Sequence, residues 1–372
     1  MSTWDDCSTE VALSMEVRDF DFDLPAELIA QEPPAERSAA RLLLLCRDTG
    51  SLTLSSVAAL PGLLRGGDLL VVNNTRVFPA RLLGRRVPSG GAVECLLLAR
   101  LSGCQDLKSE MRASHRYEAL MHPGQKLKPG ARVVFEGART LHGEVLERRY
   151  YGRRVIALWT DDGSDIDAAV DTIGHVPLPP YIKRDEREAD RERYQTVFAR
   201  RRGSVAAPTA GLHFTQTLVS ALLASGIEIA EITLHVGYGT FQPVRVDRVE
   251  DHRLEPEPFE IGEEAARVIE RARTEGRRVI AVGTTTTRTL ESVAMTHGGQ
   301  IVAGAAATDL FIHPGFEFRV TKGLLTNFHL PRSSLLMLVA AFAGRERVLT
   351  AYHAAIAGRF RFYSYGDAML IL

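Results

Sequence analysis

Cysteine is scarce: four residues in 372, Cys7, Cys46, Cys95 and Cys104, with no CxxC pair among them. That number and spacing exclude a disulfide framework and a thiolate metal site, and they suit a reducing, cytoplasmic setting. Net charge is lacking too, since 45 basic against 46 acidic side chains leave −1. A chain without a cationic field is not a non-specific nucleic-acid binder, so any RNA contact must come from a local patch. Long apolar runs are also missing. The longest, residues 335–343, falls far short of the roughly 20 residues that span a bilayer. The N-terminus MSTWDDCSTE is acidic where a secretory signal is basic and then apolar, so neither export nor membrane attachment is expected. No heptad pattern or exposed apolar stripe calls for a second copy, and a monomer is expected.

Several signatures of chemistry are absent as well. The chain has no GxGxxG, no GxxxxGK[ST], no HExxH and no GxSxG. Those absences remove the common dinucleotide, NTPase, zinc-protease and serine-hydrolase readings, and no metal is expected. A small-molecule methyltransferase would be expected to show a glycine-rich loop after its first strand, and none is present.

What remains is long enough for roughly two domains. Residues 1–15 have no periodicity and read as a disordered extension. In DFDFDLP, Phe20, Phe22 and Leu24 alternate with Asp as in a half-buried strand, and Pro25 can open a short helix carrying Leu28 and Ile29. A strand pair follows, turned at residues 48–50. From residue 68 to 160, short β-branched or Leu-rich runs alternate with Gly and Pro turns, which predicts a small antiparallel barrel. Beyond that, helix and strand patterns alternate. TQTLVSALLASG places Leu218, Val219, Leu222 and Leu223 on one helix face before Gly226, and GEEAARVIERARTEG repeats the device before Gly276. The expected fold class is α/β: a discontinuous main domain of residues 16–67 and 161–372, with an inserted β-barrel domain of residues 68–160.

Three groups of residues can carry chemistry. VIAVGTTTTRTLESV reads as a buried strand, a glycine turn and a helix starting near Arg288, and N–H groups at a helix start can hold a carboxylate or phosphate. Equally, any such turn needs a small residue and a capping hydroxyl. Residues 183–202 hold eight basic and five acidic side chains with Tyr194 and Phe198 between them. Arginines clamp phosphates and aromatics stack on unpaired bases, whereas mixed-sign runs are also ordinary solvated helix faces. Of eleven histidines, His213, His235, His252 and His329 stand beside glycine, proline or aromatic residues at loop or strand ends, where catalytic groups are often carried.

Taken in order, DFDLPAELIAQEPPAER, LLVVNNTRVFPARL, PLPPYI, DRERYQTVFA, SVAAPTAGLHFT, ITLHVGYGTFQPV, VGTTTTRTLES, TDLFIHPGFEF, LLTNFHLPRSSLLMLVAAFAG and RFYSYGDAMLI closely resemble the S-adenosylmethionine:tRNA ribosyltransferase-isomerase family of the queuosine pathway. The likeness runs from about residue 19 to the C-terminus. It implies an α/β domain with an inserted β-barrel, in agreement with the pattern above. The activity it implies is transfer and isomerisation of the ribosyl moiety of S-adenosylmethionine onto the aminomethyl group of 7-aminomethyl-7-deazaguanine at the tRNA wobble position, releasing adenine and methionine. S-adenosylmethionine is then a consumed substrate, and no cofactor is implied. Four positions depart from the family's pattern: Glu255 stands where a second histidine or similar is expected after His252, Thr286 and Thr287 replace a more usual Ser-Val, and Tyr117 replaces Trp.

Such a reaction needs a base near the ribose C5′, a proton donor for departing adenine and a neutral attacking amine. Within the matching motifs, His213 and His329 lead as acid/base candidates, with His235 and Asp309 next. Gly283, Thr284, Thr285 and Arg288 are the candidates for the methionine carboxylate. Arg76, Arg81, Arg191, Arg193, Tyr194 and Gln195 are those for tRNA or its modified base. Two other classes compete. A methyltransferase would yield S-adenosylhomocysteine, and a non-catalytic RNA-binding protein would concentrate basic charge.

Overall fold

Runs that are apolar at nearly every position mark strands covered on both faces. LLVVN, VIAV and AMLI are of this kind, and all three are buried along their whole length. The computed structural model describes residues 15–101, 114–241 and 243–372, so the expected disordered extension, apart from Met15, lies outside the described residues. In chain order the strands are β1 (Arg41–Leu45), β2 (Leu52–Ser56), β3 (Leu69–Asn73), β4 (Thr75–Val77), β5 (Arg81–Val87), β6 (Ala92–Leu101), β7 (His115–His122), β8 (Arg132–Phe135) and β9 (Leu141–Arg148). They continue as β10 (Arg153–Trp159), β11 (Arg201–Ser204), β12 (Glu228–Leu234), β13 (Glu257–Ile261), β14 (Val279–Val282), β15 (Gly304–Thr308), β16 (Thr321–Asn327) and β17 (Ala368–Ile371). The helices are α1 (Leu60–Leu63), α2 (Ile166–Ile173), α3 (Asp190–Arg193), α4 (Gln216–Ala224), α5 (Glu263–Thr274), α6 (Thr284–Thr296), α7 (Ser334–Ala343) and α8 (Arg345–Ala357).

Nine strands form one sheet in the order β15-β13-β12-β3-β14-β16-β17-β1-β2. Its centre, β12-β3-β14-β16, is parallel, and β17 then runs antiparallel to β16 and parallel to β1. One face packs against α5 to α8, with Ile269, Leu290, Met337 and Tyr352 in its core. The other packs against α1 and α4 through Leu60, Leu218 and Leu222. The expected helix face in α4 is therefore right except at Leu223, which is 53% exposed. Thr215 caps α4 by accepting from Leu218 N at 3.1 Å.

Strands β5 to β10 close a six-stranded antiparallel barrel. Its interior holds Leu82, Cys95, Tyr117, Phe135 and Ile156. Tyr117 is thus barrel core, with its hydroxyl donating to Asp167 at 2.7 Å. Three expectations are corrected. The insertion does not open at residue 68: β3 is central in the large sheet and β4 pairs with β11, so the first barrel strand begins at Arg81. LLVVN resembles the barrel runs in composition, and only its burial on both faces separates them. DFDFDLP is not a strand but a 3₁₀ turn, Val17–Phe20, followed by irregular chain that buries Phe20 and Phe22. Helix α6 starts at Thr284, four residues before Arg288.

Barrel closure depends on a position without a side chain. A Cβ at Gly84 of β5 would stand 2.3 Å from Val134 O and 2.5 Å from Phe135 Cδ1 on β8. Gly84→Ala is expected to lower the urea unfolding midpoint, by an overpacking cost of about 2 kcal/mol. Gly62→Ala, on α1 with nothing within 4 Å of the added atom, is expected to raise it slightly.

Candidate active site

In parallel sheets, ligands bind beyond the carboxyl ends of the strands, where the chain leaves the sheet in loops. Here β12, β3, β14 and β16 run parallel in that order, and a cleft of about 550 Å³, counted to its mouth, opens beyond the ends of β12, β14 and β16. Gly283, Thr284 and Thr285 come from the end of β14; Thr326, Asn327 and His329 from the end of β16; Val236 and Thr240 from beyond β12. The SVAAPTAGLHF segment supplies Ala206 to Ala210, while Tyr181, Tyr363 and Ser364 complete the wall. No Asp, Glu, Lys or Arg is among these residues.

The glycine turn after β14 positions a helix start. Gly283 has φ +93, which a residue with a side chain rarely adopts, and α6 begins at the next residue. The four threonines then divide in function. Thr286 and Thr287 bond back to Val282 O and Gly283 O at 2.9 and 3.1 Å, inside the helix. Thr284 and Thr285 face the cleft. Among the described residues Thr285 Oγ1 is buried with no hydrogen-bond partner, and so is Asn327 Oδ1. Buried polar atoms left unpaired by the protein are rare and call for an explanation.

Arg288 does not reach the cleft. It is buried one turn into α6, where Nε donates to Leu310 O at 2.8 Å, Nη2 to Thr308 O at 3.1 Å, and Nη1 to Glu257. Glu257 in turn accepts from Gly237 N at 2.7 Å and Thr240 Oγ1 at 3.4 Å. The ion pair therefore fixes the turn Tyr238–Phe241 against α6, and it was not visible in the sequence.

The four acid/base candidates separate. His329 lines the cleft, with Nε2 2.9 Å from Thr326 Oγ1, and its backbone N–H donates to the Tyr352 hydroxyl at 3.0 Å. Burial pushes its pKa down to about 3. His213 lies behind the wall: its Nε2 is 3.2 Å from Asn327 Nδ2, which also donates to Tyr363 O at 3.0 Å. Burial lowers it to about 4, with Asp367 acting in opposition. His235 turns away from the cleft, 2.7 Å from Thr75 Oγ1, and its ring fills the space beside Gly203. Asp309 is exposed just past β15 and is not part of the cleft wall. Sequence reasoning did not single out Tyr181, Asn327, Tyr363 and Ser364. All four stand in motifs already noted, PLPPYI, TNFHLP and RFYSYGD, and Tyr363 has φ +75, an outlier of the kind that clusters at functional sites.

The proposed RNA residues are dispersed. Arg76, Arg191 and Gln195 share a shallow depression with Arg202. Arg191 donates to Asp171 O at 3.0 Å, and Gln195 brackets Val77 through its N–H and carbonyl at 3.1 and 2.7 Å. Arg193 bonds Pro34 O and Ala35 O. Tyr194 is fully buried and packs edge-on against Tyr365, so its ring has no face for a base. Arg81 pairs with Glu94 at 2.7 Å on the barrel. Most of residues 183–202 thus ties the chain together, with Arg184 and Asp190 as a bidentate pair at 2.7 and 2.8 Å. His252 packs edge-on against Phe311, and Glu255, which departs from the family's pattern, reaches Arg153 on the barrel. No helix among the described residues is long and apolar enough to cross a membrane.

Comparison with known proteins finds relatives over nearly the whole chain. An S-adenosylmethionine:tRNA ribosyltransferase-isomerase of Heliobacterium modesticaldum is 50% identical over 358 residues, covering 96% of this chain and 100% of that protein. One from Syntrophotalea carbinolica is 49% identical over 359 residues, covering 96% and 100%. The crystal structure of S-adenosylmethionine tRNA ribosyltransferase from Thermotoga maritima is 36% identical with a TM-score of 0.52, covering 95% of this chain and 100% of its own. Residues 17–371 match the sequence model described as queuosine biosynthesis protein, and the chain belongs to that family.

Proposed function

We propose that this enzyme transfers and isomerises the ribosyl moiety of S-adenosylmethionine onto the aminomethyl group of 7-aminomethyl-7-deazaguanine at the tRNA wobble position, giving epoxyqueuosine-tRNA, adenine and methionine. It acts as a cytoplasmic monomer and needs no metal or other cofactor. The observation that carries this reading is the uncharged cleft with two unpaired buried oxygens, Thr285 Oγ1 and Asn327 Oδ1, at an open helix start.

S-adenosylmethionine carries a carboxylate, an ammonium and a sulfonium, and such a cleft meets them with dipoles in place of charges. The first N–H groups of α6 have no partner inside the helix, and with the Thr285 hydroxyl they suit the carboxylate. Arg288 acts on this site through Glu257 and the Tyr238–Phe241 turn and does not touch the ligand. The sulfonium needs surroundings without positive charge. His329 is neutral at pH 7 because burial holds its pKa near 3, and the Tyr181 and Tyr363 rings are in edge contact on the same wall. Aromatic faces attract such cations.

His329 is then the leading group to take the C5′ proton. So weak a base depends on the neighbouring sulfonium for the acidity of that proton. His213 holds the Asn327 amide and is a positioning residue. This allocation sets aside His235 and Asp309, which stand off the wall.

With tRNA bearing the aminomethyl-deazaguanine and S-adenosylmethionine labelled in its ribose, the label should enter the tRNA with release of free adenine. Formation of S-adenosylhomocysteine would instead indicate methyl transfer. Thr285→Val should raise the KM for S-adenosylmethionine by about tenfold, the scale of a hydrogen bond to a charged group, without lowering the unfolding midpoint. Unchanged affinity would remove the carboxylate from this helix start. His329→Gln should slow single-turnover ribosyl transfer by about 100-fold or more, and an unchanged rate would eliminate it as the base.

The same histidines shape stability against pH. Unfolded, each titrates near 6.5, whereas folded His213 and His329 titrate at about 4 and 3. As pH falls below 6.5 the unfolded chain takes up protons that the folded one refuses. Stability is therefore whole above pH 7 and is lost on acidification at up to about 1.4 kcal/mol per pH unit for each ring. Urea midpoints between pH 7 and 5 should fall less steeply in His329→Gln than in the parent protein.

A further inference from the structure

The turn between β9 and β10 reads Arg148-Arg149-Tyr150-Tyr151-Gly152-Arg153. Tyr150 and Tyr151 are 88% and 89% exposed, so neither adds to any core. Arg153 N donates to Tyr150 O at 3.1 Å, and Tyr151 and Gly152 have φ +55 and +81. That is a two-residue hairpin turn of the kind in which Asn-Gly or Asp-Gly is favoured, because both central residues need positive φ. Folding alone would place Asn at residue 151. An aromatic ring held there in water is strain and exposure that the fold does not use.

The surroundings are mixed in charge, with Glu147, which pairs with Arg149 at 3.4 Å, among the arginines. Arg148 is exposed and pairs with no acid among the described residues. Arg149 pairs with Glu118 at 3.0 Å, and Arg153 pairs with Glu118 at 3.1 Å and with Glu255 of the main body. Glu255 lies against Gly239, whose neighbour Thr240 lines the central cleft. Gly152 O accepts from Met121 N at 3.4 Å, and Leu120 stands beside Gly152. Leu120 and His122 form one wall of a second cleft of about 1050 Å³, with the barrel on one side and residues 176–186 with Tyr238 on the other. The two clefts back onto each other: Tyr181 faces the central one while Pro180 and Ile182 face the second.

We propose that Tyr150 and Tyr151 form a stacking platform for unpaired nucleotides of an RNA loop, with Arg148 on a phosphate, so that a neighbouring nucleotide enters the second cleft. This rests on the functional reading above for the identity of the RNA, and it assigns that RNA a binding element outside residues 183–202. Exposed aromatics beside arginines are how single-stranded nucleic acids are commonly held. A protein partner fits less well. Two rings bury about 300–500 Å², roughly half of the ~800 Å² that one side of a stable protein interface requires.

The test is the double variant Tyr150→Ser/Tyr151→Asn, whose Asn-Gly turn suits the backbone and keeps the hairpin folded. Binding of an anticodon stem-loop, measured by fluorescence anisotropy at fixed salt, should weaken about tenfold or more. Tyr150→Phe/Tyr151→Phe should retain it, and S-adenosylmethionine affinity without RNA should be the same in all three proteins. Arg148→Ala should reduce the slope of log Kd against log salt by about 0.7, the single-strand value for one phosphate. Binding within twofold of the parent in the Ser/Asn variant overturns the proposal. So does sedimentation showing that the parent self-associates and the variant does not. The two readings fail separately. If ribose label reaches tRNA with the same tRNA KM in parent and Ser/Asn variant, the platform is wrong and ribosyl transfer stands. If the stem-loop binds through the tyrosines yet no label is transferred, the platform stands and ribosyl transfer is wrong.

Discussion

A guanidinium and a carboxylate, Arg288 and Glu257, lie together with each side chain only 7% exposed, and the working shape of the cleft depends on them. Taking two charges out of water is costly, and attraction between them returns that cost only when every remaining donor and acceptor is also paired. Here they are paired: two β15-side carbonyls take the other guanidinium N–H groups, and Gly237 N and Thr240 Oγ1 take up the carboxylate. The pair joins three elements of the fold: α6, strand β13 and the turn after β12. It also spends the nearby positive charge on protein, so the α6 start faces the cleft with dipoles alone.

That arrangement explains why the cleft is neutral although the chain is 24% charged. A cationic wall would repel a sulfonium, and an anionic one would tend to keep an approaching amine protonated. Uncharged donors and acceptors do neither. Neutrality of His329 belongs to the same design, because its burial beside the Tyr352 hydroxyl removes the water that would stabilise its charged form.

The sequence was most legible where one residue type has one structural use. Gly226 and Gly276 end α4 and α5, both with positive φ, and the strand pair turns at residues 48–50 as its spacing implies. The barrel was visible in its even strand spacing. Its first boundary was not, because LLVVN is apolar in the way that barrel strands are, and only long-range pairing with β12 and β14 places it in the large sheet. In the site, Gly283, Thr284, Thr285 and His329 were legible as loop and helix-start residues. Arg288 was misplaced by a single helical turn. Tyr194 and Arg193 looked like RNA ligands because composition does not distinguish an arginine facing solvent from one bonded to Pro34 O. Asn327 carries no periodic or charge signal, and its importance appears only when its unpaired oxygen is seen in the cleft wall.

The place of β17 has a consequence for assembly. The hairpin of β1 and β2 joins the sheet only through β17, whose residues Ala368 to Ile371 pair with Leu42 to Leu45 on one side and with β16 on the other. Residues near 43 find their hairpin partner in β2 at once, but they must wait for residues near 370 before they join the large sheet. The barrel, contiguous from Arg81 to Trp159, has no such dependence and can close while the later chain is still being made. An inserted domain thus completes itself first, and the body that contains it is locked last, by a four-residue strand that ties the β1–β2 hairpin to the rest of the sheet.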